Sequence, residues 1–123
     1  MEFSPSPLRV ATIYKISERS VWDAAACAGL YPGSEADRRD GFIHFSTAAQ
    51  LAETAAKHFA GQTDLMLLAV DSEALGPTLK WERSRGGDLF PHLYAALPLS
   101  AVRWARPLPE EIGGRRLLPE LEP

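Results

Sequence analysis

A single domain that mixes β-strands with α-helices is the fold class this sequence predicts, and three observations predict it. The chain has 123 residues, a length that fits one compact soluble domain with one core and leaves no room for two. Leu65-Met66-Leu67-Leu68-Ala69-Val70, bracketed by Asp64 and Asp71, is apolar on both faces and reads as a central strand covered on both sides. Thr47 with Gln50 three residues later is a capping-box signature that starts a helix.

The elements follow in order. Val10 to Ile16 is β-branched and aromatic with rough alternation, so it is a strand with Thr12 and Tyr14 on one face and Ala11, Ile13 and Lys15 on the other. Ser17 and Ser20 are candidate caps for a helix carrying Val21, Trp22, Ala24, Ala25 and Ala28, and Gly29 ends it. Tyr31 to Asp40 reads as loop, and Gly41 to Phe45 as a short strand. The helix after Thr47 lays Ala48, Leu51, Ala52, Ala55 and Phe59 on one stripe and stops at Gly61. After the Leu65–Val70 strand and a turn at Gly76-Pro77, Thr78 to Arg83 alternates as a strand in which Glu82 faces away from Trp81. Gly86-Gly87 breaks the chain, Phe90 to Tyr94 is a short turn or strand, and Ala101 to Ala105 is the last strand. The expected division is a flexible segment 1–9, a domain 10–106, and a tail 107–123 that is poorly ordered or draped over the surface.

Composition excludes several classes of function. Thirteen Lys and Arg stand against 16 Asp and Glu, a formal net charge of −3, and no basic run exceeds a pair, which argues against duplex nucleic acid as a partner. The lone Cys27 permits no internal disulfide, sits in an Ala-rich stretch as a small buried apolar group, and fits a reducing cytoplasm. The first residues lack the order of a secretory signal, and no apolar run approaches the roughly 18 residues of a membrane span.

Two dense constellations carry the chemistry. His44, between Asp40-Gly41 and Phe45-Ser46-Thr47, emerges from a strand beside a helix amino terminus, where anions are favoured. It either binds a phosphate or ribose with the Ser46 or Thr47 hydroxyl, or is a hydrogen-bonded core residue beside a simple cap. In Phe90-Pro91-His92-Leu93-Tyr94, His92 and Tyr94 share one side of an extended segment, in a pocket or as part of a closed core. Glu82 is a general base, a ribose acceptor, or the surface partner of Arg83 or Arg85. His58 reads as a surface residue, and Arg83 to Gly87 only loosely as a phosphate cradle. No metal site is expected, because His44, His58 and His92 lack i, i+4 pairing and cysteine partners. No Gly-x-Ser-x-Gly elbow supports a serine nucleophile.

Ile13-Tyr14-Lys15-Ile16, Trp22 with Gly29, Asp40 to Thr47 with Gln50, Asp64-Leu65, Trp81-Glu82, and Phe90 to Tyr94 with Leu97-Pro98 together resemble the bacterial domain-of-unknown-function 952 family over residues 10 to 105. That family is similar in fold to the ADP-ribosyltransferases. The resemblance implies an α+β domain with a split, mixed β-sheet, flanking helices and a cleft for NAD. Carried onto this chain, it places His44, Ser46, Thr47, Glu82, His92 and Tyr94 at the site, with Lys15 at the early-strand position and Tyr14 beside it. A carboxylate and bonds to the ribose 2-hydroxyl would then favour a cationic, oxocarbenium-like transition state.

The expectation is therefore a cytoplasmic α+β domain whose cleft binds a nucleotide-like or phosphorylated small molecule. In the enzymatic version NAD is a substrate, His44 and His92 donate to phosphate or leaving-group oxygens, and Glu82 holds ribose. The alternatives are a sensor domain that binds a small anionic metabolite without turnover, and a protein-interaction module using Trp81 or Trp104. No membrane partner is expected, and a monomer is plausible.

Overall fold

The computed structural model describes residues 11–123; the expected flexible segment 1–9 and the start of the first strand at Val10 lie outside the described residues. The apolar run becomes Leu65–Asp71 (β4), the middle strand of a three-stranded sheet between Thr12–Glu18 (β1) and Val102–Pro107 (β8). Its alternation divides the interior. Met66, Leu68 and Val70 join one buried cluster with Ile13, Phe45 and Leu93, whereas Leu65, Leu67 and Ala69 join another with Tyr14, Leu51 and Leu108. Both faces are covered, as a continuous apolar strand requires. Each buried leucine there contributes about 1.5–3 kcal/mol relative to exposure.

A second three-stranded sheet has the order β3–β6–β5, made of Ile43–His44 (β3), Leu89–Leu93 (β6) and Leu79–Arg83 (β5), and Leu30–Tyr31 (β2) pairs with Leu97–Pro98 (β7). Every strand pairing among the described residues is antiparallel, so the expected mixed sheet is corrected to an antiparallel one. The two larger sheets meet at a single bridge, where the Tyr14 N–H donates to Ser46 O and the Ser46 N–H to Tyr14 O at 2.8 and 2.9 Å. The split thus falls between β1 and β3.

Among the described residues three α-helices flank the sheets: Arg19–Ala28 (α1), Glu35–Asp40 (α2) and Ala48–His58 (α3). Thr47 and Gln50 form the anticipated capping box of α3. Gly29 closes α1 with φ of 87°, a left-handed conformation that costs glycine little. Other local readings are corrected. Ser17 caps nothing, because its buried hydroxyl accepts from Tyr31 Oη at 2.9 Å and Glu18 holds the cap position without a side-chain bond. Ala24, Ala28 and Cys27 are exposed, since only one narrow stripe of α1 packs inward. Residues 31–40 are not all loop: Ser34 starts α2, with Asp37 completing a second capping box.

The segment after Pro107 follows the surface and docks. Leu108 is buried, Leu118 and Leu121 pack on the same cluster, and Arg116 donates to the carbonyls of Phe59 and Gln62. The backbone of Glu122 brackets Tyr14 Oη, accepting from it at 2.8 Å and donating to it at 2.9 Å. No described helix is long and apolar enough to cross a membrane.

Candidate functional site

Asp37 is the hub of one half of the site. It is buried, its Oδ1 accepts from the His44 N–H at 3.2 Å and from His44 Nδ1 at 2.6 Å, and its Oδ2 accepts from the Ser34 N–H at 2.9 Å. Lys15 Nζ reaches Oδ1 at 3.0 Å and Oδ2 at 2.7 Å. Gly33 permits this closeness, because a Cβ there would come within 2.8 Å of the Asp37 Cβ. Burial alone would raise the Asp37 carboxyl, but the His44 and Lys15 bonds, the lysine charge and the Ser34 N–H more than offset it and hold it well below the usual carboxylate range. Burial draws the Lys15 ammonium down, and Asp37 opposes that change. An ionised Asp37 only accepts, so His44 Nδ1 carries the hydrogen and Nε2 faces Asp40 Oδ2 at 3.0 Å.

The other half is built across the β3–β6 ladder. His44 lies directly opposite His92 in register, and the two rings meet edge to face with centroids 5.7 Å apart. The Phe42 ring packs on both, 4.1 Å from His92 and 4.6 Å from His44. His92 is buried, and its Nδ1 lies 2.8 Å from Glu82 Oε1, which also accepts from Tyr94 Oη at 2.7 Å. The His92 bond, then the Tyr94 bond, lower the Glu82 carboxyl, and the same carboxylate raises the Tyr94 hydroxyl. Glu82 is therefore an acceptor, Nδ1 of His92 donates, and no described residue bonds to Nε2.

A cleft of about 540 Å³ opens between β1 and the β3–β6 ladder, walled by α2 and α3. It gathers Tyr14, Lys15, His44, Ser46 and His92 from three separate stretches of chain. Ser46 is buried and shares a 2.8 Å hydrogen bond with Thr54. Thr47, Glu82 and Tyr94 lie outside the lining. Thr47 is spent on its cap, while Glu82 and Tyr94 hold His92 and so act on the cleft through it. Glu82 is thus paired with His92 and Tyr94 rather than Arg83, whose guanidinium donates to Gly87 O at 2.7 Å. His58 is exposed, as read from the sequence, and sits on the rim.

Asp37, Asp40 and Phe42 were not singled out by the sequence reading. Only Asp37 had a local signal, the Ser34-x-x-Asp37 spacing of a capping box. The cleft lining sets the carboxylates of Glu18, Glu35, Asp37 and Asp40 against the cations of Lys15 and Arg39, an acidic excess. Among the described residues no cluster of three or more His, Cys, Asp or Glu is arranged to hold a metal ion.

The family model described as protein of unknown function (DUF952) matches residues 16–105. The crystal structure of protein CC0527 from Caulobacter crescentus is 51% identical, with 86% of this chain and 93% of that chain covered and a TM-score of 0.82. The solution NMR structure of the same protein is 51% identical over 85% of this chain and 90% of that one, with a TM-score of 0.76. No curated protein matches the chain.

Proposed function

We propose that this chain, which belongs to the DUF952 family, binds a nucleotide-like small molecule in the cleft and performs acid–base chemistry on its N-glycosidic bond. The observation that carries the reading is the opposition of His44 and His92 over one cleft, each with Nδ1 held by a carboxylate. Glu82 fixes the His92 tautomer, which leaves Nε2 as the proton acceptor. Water attacking the anomeric carbon gives its proton to Nε2, while the C–N bond breaks with its electron pair on the departing base. The surrounding carboxylates favour the positive charge that develops on the sugar, and Arg39 at the rim takes a phosphate. NAD fits this description as a substrate, and an acceptor other than water turns the reaction into ADP-ribosyl transfer. The divergence of β1 from β3 beyond the Tyr14–Ser46 bridge supports the likeness to an ADP-ribosyltransferase fold.

One observation favours a second reading, ligand binding without turnover: Tyr14, Lys15 and Ser46 already spend their polar atoms on partners within the chain. Thermal denaturation against a nucleotide panel that includes NAD, combined with measurement of nicotinamide release, separates the two. A ligand at 100 times its Kd adds about 2.7 kcal/mol of stability. Release by the wild type that is lost in His92→Ala is the expected result. A thermal shift without release selects the second reading. Shifts that survive both His44→Ala and His92→Ala end both.

A further inference from the structure

β5 is the outer strand of its sheet, and no described strand lies beyond it. Such an edge offers unpaired backbone groups to another chain. Which residues face outward follows from Pro91, whose carbonyl accepts from the Phe45 N–H at 3.0 Å and whose backbone therefore turns toward β3. Trp81 lies opposite Pro91 in the β5–β6 register, so its N–H and C=O turn away from β6, as do those of Leu79 and Arg83.

The strand Leu79-Lys80-Trp81-Glu82-Arg83 complements itself about Trp81. Laid antiparallel on a second copy with Trp81 opposite Trp81, Leu79 meets Arg83, and all three outward-facing residues find backbone partners. Lys80 then meets Glu82 of the second copy, and Glu82 meets its Lys80, at the non-hydrogen-bonded positions where side chains approach most closely. A two-fold centred on Lys80 or Glu82 would oppose like charges and present no outward backbone groups at its centre.

The side chains are ready for this pairing. Lys80 forms no ion pair with a described residue, and Glu82 receives both His92 and Tyr94 on Oε1, so that no described residue bonds to Oε2. On the opposite face Trp81 and Leu89 are 38% and 49% exposed, an apolar strip that the two-fold continues across the axis with Trp81 beside Trp81.

We infer that β5 is the seat of an isologous dimer, in which two copies of the chain join edge to edge through the Lys80–Glu82 cross-pair. The inference stands independently of the nucleotide reading. It places an ammonium of the second copy on the carboxylate that holds His92.

So short an interface belongs with those below about 1,200 Å², which are weak, so sedimentation velocity is run up to about 1 mM. The wild type shows a concentration-dependent dimer. Lys80→Glu and Glu82→Lys each set like charges opposite one another twice and weaken association about tenfold or more. Mixed in equal amounts, the two variants restore it, because both cross-pairs then join opposite charges. Trp81→Glu, with a carboxylate on the axis, is monomeric. A wild type that stays monomeric, dimerisation unaffected by Lys80→Glu or Trp81→Glu, or two folded charge variants that fail to associate when mixed would each overturn the inference.

Discussion

His44–Asp37 and His92–Glu82 are the same chemical pair in two different surroundings. Asp37 is buried with a lysine, two backbone N–H groups and an imidazole on its two oxygens, so it ties α2 to β1 and β3. Glu82 sits at the surface end of its pair, bonded among the described residues only to the His92 ring and the Tyr94 hydroxyl. Exposure is reversed on the histidine side, where the His44 side chain is 38% exposed and that of His92 only 6%. A buried carboxylate on which several elements converge acts as an anchor. A carboxylate with one strand behind it and one ring in front serves to orient that ring.

The sharpest way to break the contrast is Asp37→Asn. It leaves the Lys15 ammonium buried without its counter-charge, and should cost about 3–5 kcal/mol in urea unfolding. The pH dependence follows the same group. Asp37 is lowered in the folded state, so its contribution is present above the ordinary value of 3.8 and is lost as pH falls from there through the depressed folded value. The wild type should lose stability steeply on acidification, and Asp37→Asn should flatten that fall. Equal slopes in the two proteins would remove Asp37 from the role of anchor.

Glu82→Gln probes the other side. It keeps the shape but removes the acceptor-only partner of Nδ1, so under the proposed N-glycosidic chemistry nicotinamide release should fall about 10²–10⁴-fold with the melting temperature nearly unchanged. A large drop in melting temperature instead would make Glu82 an anchor like Asp37. The smallest expected effect is that of Ser34→Ala, which removes the α2 cap and costs about 1 kcal/mol while leaving the His92 half of the site intact.

Legibility in the sequence followed distance along the chain. The capping box at Thr47, the stop at Gly29 and the two-sided strand at β4 were readable because their energetics are settled within a few residues. Ser34-x-x-Asp37 was equally local, but the flanking Pro32-Gly33 suggested loop and α2 was missed. Cys27 was misjudged because an Ala-rich helix face looks the same whether one stripe of it or several are packed. The two histidines were legible as candidates from their dense surroundings. Their partners were not: Lys15 meets Asp37 from 22 positions away, and Glu82 reaches His92 only through the register of β5 on β6.

By itself, then, the sequence determined the period of each element, the apolar strand that divides the core, and which imidazoles to watch. Tertiary structure alone decided that those imidazoles face each other, which carboxylate holds each, and that Thr47 merely caps while Glu82 orients. The physical reason lies in strand pairing, where side chains alternate with a period of two. A slip of one residue between β5 and β6 would turn Glu82 to the opposite face from His92, and no local pattern within Lys80 to Arg83 records that choice.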